Sequence, residues 1–283
     1  MTRTPPLWRR RTCRPAPAVL LLGLSLLVGC SGGDVEPAAD STPSATPLPT
    51  ATPPADPPSP ACYRLSFEEA LSPTASSVPP VRCRGRHTAQ TFAVGRIDNV
   101  VDGHLLTVDS ERVQQRVARA CPERLGTFLG GSLEEQRLSV LRAVWFTPTL
   151  DDAESGQDWF RCDVVAVAGS DRLAVLRSSL EGVLTTPKGR ETWGMCAPTG
   201  PDDEGFVHMP CAQEDAWRAV SVVALSGRRY PGAARITAVG REPCQDAARR
   251  LADDPLDYQW GLEGPDESQW AAGERFLRCW APT

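Results

Sequence analysis

The chain has 283 residues, 41% of them hydrophobic and 23% charged, with a formal net charge of −5. That acidic balance argues against nucleic acid or an anionic lipid surface as the main partner. The length allows one large domain or two small ones once the N-terminal region is set aside.

Residues 1–29 read as an export signal. Arg3, Arg9, Arg10, Arg11 and Arg14 make a basic start with no acidic residue, and an apolar run from Ala18 to Val28 follows. The run is short of the roughly 20 apolar residues that a spanning helix needs, which is the signal-peptide pattern. It closes on Leu27-Val28-Gly29-Cys30. A branched residue, small residues and then Cys form a lipobox, so Cys30 is the expected lipidated N-terminus of a mature lipoprotein, carrying diacylglycerol and palmitate-type chains. Two chains anchor stably where one is marginal. The expected location is the extracytoplasmic face of the cell membrane. Residues 30–60 form a linker: nine prolines stand between 31 and 60, among Ser, Thr, Ala and Asp. Such a composition cannot bury enough surface to offset its ordering entropy, so a disordered, semi-extended spacer is expected.

Eight cysteines remain beyond the linker: Cys62, Cys83, Cys121, Cys162, Cys196, Cys211, Cys244 and Cys279. An even set in an exported chain reads as disulfides. Structural zinc needs ligands two to four residues apart, and these are far wider. The cysteines fall into two quartets of similar spacing. Pro148, Gly156 and Cys162 recur at the same offsets as Pro265, Gly273 and Cys279, and Arg161 and Arg278 each precede the cysteine. Trp159 matches Phe276, and Val81-Arg82-Cys83 matches Met209-Pro210-Cys211. Two tandem copies follow, 61–187 and 191–283. Four cysteines allow three pairings. The expectation here joins the middle two of each quartet (Cys83–Cys121, Cys211–Cys244) and the outer two (Cys62–Cys162, Cys196–Cys279).

Each copy is expected to be a small, disulfide-stabilised α+β domain. Val113, Val117, Cys121 and Leu125 recur every four residues, as on one helix face. The stretches Thr91 to Ile97, Val164 to Val167 and Val220 to Leu225 are strand-like. A second helix with Cys244 is expected in PCQDAARRL. Ser132 with Glu135 offers a capping box, and the Pro-x7-Gly-x5-Cys segment is expected to turn into a late strand.

No catalytic constellation emerges. His87 has no nucleophile or orienting carboxylate in its motif and is expected to be a hydrogen-bonded structural residue. His104 and His208 lie in loop-like stretches and are expected to be solvated. No Ser-x-x-Lys, Gly-x-Ser-x-Gly or phosphate loop occurs in the body. Asp151-Asp152, Asp202-Asp203 and Asp253-Asp254 are read as solvated pairs, and neither a metal nor a cofactor is implied. Seven tryptophans lie in the body. Core filling is the plainer reading, although Trp270 and Trp280 are less constrained and could bind a glycan or protein.

The segment Val81-Arg82-Cys83-Arg84-Gly85-Arg86-His87-Thr88-Ala89-Gln90-Thr91-Phe92 resembles the V-P-C-x-x-x-H-x-x-E/Q-x-F block of the septum formation family, found in actinobacterial membrane proteins and lipoproteins. A chain with Lys188 as its single lysine among many arginines, the mark of GC-rich coding, suits that source. Trp145-Phe146-Thr147-Pro148-Thr149, the Gly156 to Cys162 block and Leu176-Arg177-Ser178-Ser179-Leu180-Glu181-Gly182 are similar to later family blocks, and the second copy keeps Gln269-Trp270-Ala271-Ala272-Gly273-Glu274-Arg275. The first copy has Arg82 where the family has Pro. The second has Asp215 at the His position and Arg218 at the Gln position. The resemblance implies a link to cell division or envelope assembly and names no reaction. The expected protein is a lipid-anchored interaction module with an envelope or divisome partner. The alternatives are an enzyme acting on cell-wall material and a ligand-binding lipoprotein.

Overall fold

Alternation and heptad-like spacing translate into a strand–helix–strand order that occurs twice. The structure, a computed structural model, describes residues 55–74, 78–211 and 217–283. Cys30, most of the linker and Asp215 therefore lie outside the described residues. The first half contains β1 (Ala61–Tyr63), α1 (Phe67–Leu71), β2 (Ala89–Arg96), the small hairpin β3 (Val100–Val101) and β4 (His104–Leu105), α2 (Glu111–Leu129), α3 (Leu133–Arg137), β5 (Leu141–Phe146), α4 (Leu150–Glu154) and β6 (Trp159–Ala166). The second contains α5 (Pro187–Trp193), β7 (Met195–Ala197), β8 (Met209–Pro210), β9 (Trp217–Ala224), α6 (Ala233–Leu251), β10 (Gly261–Glu263), α7 (Glu267–Ala271) and β11 (Phe276–Pro282). The fold is α+β.

The two principal sheets run β1-β2-β6-β5 and β10-β11-β9-β7-β8. Reversing the second and setting β8 aside gives β7-β9-β11-β10, the order of the first. Register extends the match to single residues. Cys62 pairs with Gln90 and Cys196 with Arg218, so Arg218 occupies the Gln90 position. Cys62 also bridges to Val81, as Cys196 does to Met209. Each sheet carries one 19-residue helix. Val113, Val117, Cys121 and Leu129 are the buried face of α2, with Leu125 partly buried beside them. In α6 the buried face is Ile236, Gly240, Cys244, Ala247 and Ala248.

The disulfides correct the expected pairing. They join Cys62–Cys83, Cys121–Cys162, Cys196–Cys211 and Cys244–Cys279, with Cα atoms 4.8–5.3 Å apart. They stay within each quartet, but first joins second and third joins fourth. The sheet order explains why. β2 lies between β1 and β6, so Cys62 and Cys162 are two strand spacings apart, about 9–10 Å, beyond bridging range. The Cys62–Val81 bridge instead brings Cys83 to β1, and Cys162 meets the Cys121 face of α2. The helix prolines Pro122 and Pro243 adjoin Cys121 and Cys244. A helix-interior proline costs about 3 kcal/mol, and at these two points the crosslink ties the helix to its sheet.

The expected turn before each late strand contains a short helix. Thr149 caps α4, and Asp266 with Gln269 forms a capping box on α7. Pro148 and Pro265 precede these caps. Gly156 and Gly273 follow the helices at φ 95° and 103°, with open space where a Cβ would sit. Their requirement is conformational. The Ser132–Glu135 capping box forms as expected.

The largest core cluster draws on both halves. Leu129, Val140, Leu141, Val164 and Ala166 meet Met195, Ala197, Ala219 and Trp280, with Leu176, Leu180 and Leu184 between them. Backbone bonds stitch the seam: Val140 N–H donates to Trp193 and Met195 N–H to Leu138. The halves share apolar surface along this seam.

Candidate functional site

The motif residues of the first half build a clasp. His87 exchanges both backbone hydrogen bonds with Leu176. Gln90 is 3% exposed; its Nε2 donates to Ser179 Oγ at 2.9 Å, and its Oε1 accepts from Leu180 N–H at 2.9 Å. The blocks around His87 and Leu176 are therefore recognisable together because one holds the other. The His87 side chain is 1% exposed, with Nδ1 2.8 Å from the Gly85 carbonyl. A carbonyl only accepts, so Nδ1 carries the proton. Nε2 is buried without a hydrogen-bond partner. The ring is thus enclosed and held to the local backbone by one hydrogen bond.

The other histidines differ from each other. His104 is exposed, as expected. His208 is a correction: its Nε2 lies 3.0 Å from Glu263, and its ring stacks on Trp280 at 5.8 Å. Glu263 also meets Arg278 at 3.4 Å. Burial pushes the Glu263 carboxyl up, but His208, Arg278 and Arg142 outweigh it and the net pKa is lowered. In the first half the matching strand carries Arg161 and Asp163, 4% and 0% exposed and 3.1 Å apart. Thr91 donates to Asp163 at 2.7 Å, and the Arg161 guanidinium lies over Tyr63 and Phe146 at 4.1 and 4.5 Å. Burial raises the Asp163 pKa, with Arg161 opposing. These ionic groups were not singled out as site residues. Arg161 and Arg278 carried a signal, being charges repeated before a cysteine inside apolar strands, and Asp163 interrupts the same apolar run.

No tryptophan of the body is exposed. Trp159, Trp270 and Trp280 are buried, and the other four are partly buried. Trp270 and Trp280 therefore fill core, with the Arg275 guanidinium 4.0 Å over Trp270. Among the acidic pairs, Asp152 accepts from Thr149, Asp203 from Gly200 N–H and Asp254 from Leu256 N–H. Among the described residues, no three His, Cys, Asp or Glu side chains stand together as a metal site.

Beneath α1 the helix-free face of the first sheet opens into a cavity of about 490 Å3. Ala70, Leu71, Val144, Val165, Val167 and Leu173 form its apolar wall, and Arg142 is its one charged lining residue. The Arg142 guanidinium donates to the Ser139 and Leu141 carbonyls at 2.8 and 2.9 Å. Burial first, and then Arg278, lowers its pKa to about 10 against the pull of Glu274 and Glu263. A smaller cavity of about 300 Å3 adjoins at Val167, Gly169 and Ser170 and reaches Phe206, His208 and Glu263.

The family described as septum formation matches residues 59–234 and again 194–282. The chain belongs to the septum formation family. The two matches overlap between 194 and 234, where β7 to β9 of the septum formation protein rebuild the strands that open the first half. No curated protein and no solved structure matches.

Proposed function

We propose that this protein is a lipid-anchored, extracytoplasmic interaction module that works in division-septum or envelope assembly. The family match over both halves carries the reading. Leu27-Val28-Gly29-Cys30 at the end of a short apolar run, followed by a proline-rich spacer, supports the anchor. Four disulfides in the folded part support an oxidising location. The anchor would fix the protein to the membrane, and the spacer would let the disulfide-bonded body reach a neighbour. At about 3.1 Å per residue, thirty residues of extended spacer span on the order of 90 Å.

The test uses the full chain in its native host. Wild type is expected to yield an N-terminal peptide with the diacylglyceryl mass on Cys30, and Cys30→Ala to leave the membrane fraction and fail to restore septation in a deletion strain. Unchanged membrane retention of Cys30→Ala, with no lipid mass on wild type, would remove the anchor. Normal septa in the deletion strain would remove the division role.

A further inference from the structure

The cavity beneath α1 has the form of a ligand site. Its wall is apolar, and Ala70, Val144, Val165 and Val167 leave space between the larger Phe67, Leu71 and Leu173. On the matching face of the second sheet, Trp280 and Ala219 pack into the shared core instead. The polar element is equally specific. Arg142 belongs to β5, the edge strand of its sheet, on the same face as Val144. Two backbone carbonyls orient its guanidinium, and neither carries a full charge. Glu274 and Glu263 attract it through space but neither forms an ion pair with it, and Glu263 is already engaged by His208 and Arg278. A cation on the wall of an apolar cavity without an ion pair of its own favours an anion, since charge-assisted bonds are roughly twice as strong as neutral ones. Sites of this size, largely apolar with a few placed polar groups, are the usual small-molecule sites.

We propose that this cavity binds a single-chain anionic amphiphile, a long hydrocarbon with a carboxylate or phosphate head, its chain along Val144, Val165 and Val167 and its head on the Arg142 guanidinium. Counting about 30 Å3 for each water-sized group in a liquid, the cavity takes on the order of sixteen carbons. Membrane-derived fatty acids and prenyl phosphates both have this chemistry. The site is independent of the septation role and of whether Cys30 is lipidated.

The experiment uses the full-length chain with Cys30→Ala, so that its own lipid cannot compete, purified without detergent. Hexadecanoate, dodecanoate, farnesyl phosphate and hexadecanol are titrated by calorimetry, with stoichiometry from native mass spectrometry. One-to-one saturable binding of hexadecanoate or farnesyl phosphate is expected. Hexadecanol should bind about tenfold more weakly for want of a charged head. Shortening to dodecanoate should weaken binding by at least about a hundredfold, from the loss of four buried methylenes. Arg142→Gln should erase the preference for acid over alcohol, Arg142→Lys should keep it, and Val167→Trp should block every probe. Melting and non-reducing peptide maps establish that each variant is folded. If a variant does not fold, the acid–alcohol comparison on the Cys30→Ala chain decides. Failure of both anions to bind, or equal affinity for hexadecanoate and hexadecanol, overturns the proposal. The tighter of the two anions identifies the source.

Discussion

The two halves share a strand order but use their helix-free faces differently. In the first sheet that face holds Tyr63, Phe146, Arg161 and Asp163, packs against α1 and borders a cavity. In the second it carries Ala219 and Trp280 into the core shared with the first half. The same strand position is Asp163 in one and Trp280 in the other, a buried charge against a buried indole. Even the packing is redistributed. Phe160 lies where a Cβ on Gly95 would come within 2.5 Å, and Leu277 lies 2.6 Å from a Cβ on Gly240. By register Gly95 matches Val223 and Phe160 matches Leu277. The larger ring takes its space from the neighbouring strand, whereas in the second half the space is taken from the helix. A duplicated frame thus keeps its crosslinks and topology while volumes and charges are renegotiated locally.

The sharpest break of this comparison is Asp163→Asn. Removing one partner of a buried pair leaves Arg161 uncompensated and should cost about 3–5 kcal/mol in denaturant unfolding. Replacing both, Arg161→Met with Asp163→Leu, should recover most of that loss. The counterpart Glu263→Gln, in a partly exposed network, should cost about 1.5–3 kcal/mol. Equal losses from the two single variants would show that burial does not distinguish the halves. The disulfides come next. Loop entropy assigns roughly 4 kcal/mol to Cys121–Cys162, which spans 41 residues, and roughly 3 kcal/mol to Cys196–Cys211, which spans 15. Paired Cys→Ala variants compared by calorimetry should keep that order.

Packing gives smaller effects. Gly95→Val should cost about 1–3 kcal/mol through overpacking against Phe160, and Gly240→Val a similar amount against Leu277. A stable Gly95→Val chain would show that Phe160 has room to move. Acid unfolding reads the second network. The Glu263 pKa is lowered, so its contribution is present above the ordinary glutamate value and lost as pH falls toward the lower folded value. Glu263→Gln should flatten the stability loss below about pH 4. The smallest effect belongs to His87→Gln, which should remove one hydrogen bond worth about 0.5–1.5 kcal/mol and leave complementation intact. A variant that melts like wild type but fails to complement would instead give the His87 ring a chemical task.

Much of the frame was legible because it is periodic or punctuated. The α2 face followed from Val113, Val117 and Cys121, the Ser132 cap from its spacing to Glu135, and the duplication from Pro148, Gly156 and Cys162 against their partners. Pairing of the cysteines was not legible. It depends on β2 lying between β1 and β6, a long-range fact that no local pattern encodes. The same holds for His208, whose loop sequence looks solvated until β10 brings Glu263 to it. The cavity was illegible for a related reason: small valines in a strand read as core whether or not anything covers them.

The seam between the halves joins unlike surfaces. The first sheet contributes its helix-bearing side, through Leu141, Val164 and Ala166, and the second its helix-free side, through Ala219 and Trp280. A contact of this head-to-tail kind does not close on itself, and repetition would extend it into an open array. Solenoids end such arrays with atypical terminal units. Here α1 lies over the helix-free side of the first sheet, the surface a further unit would need at that end. It acts as a cap there, and the sheet that opens the body is closed to further stacking on that side.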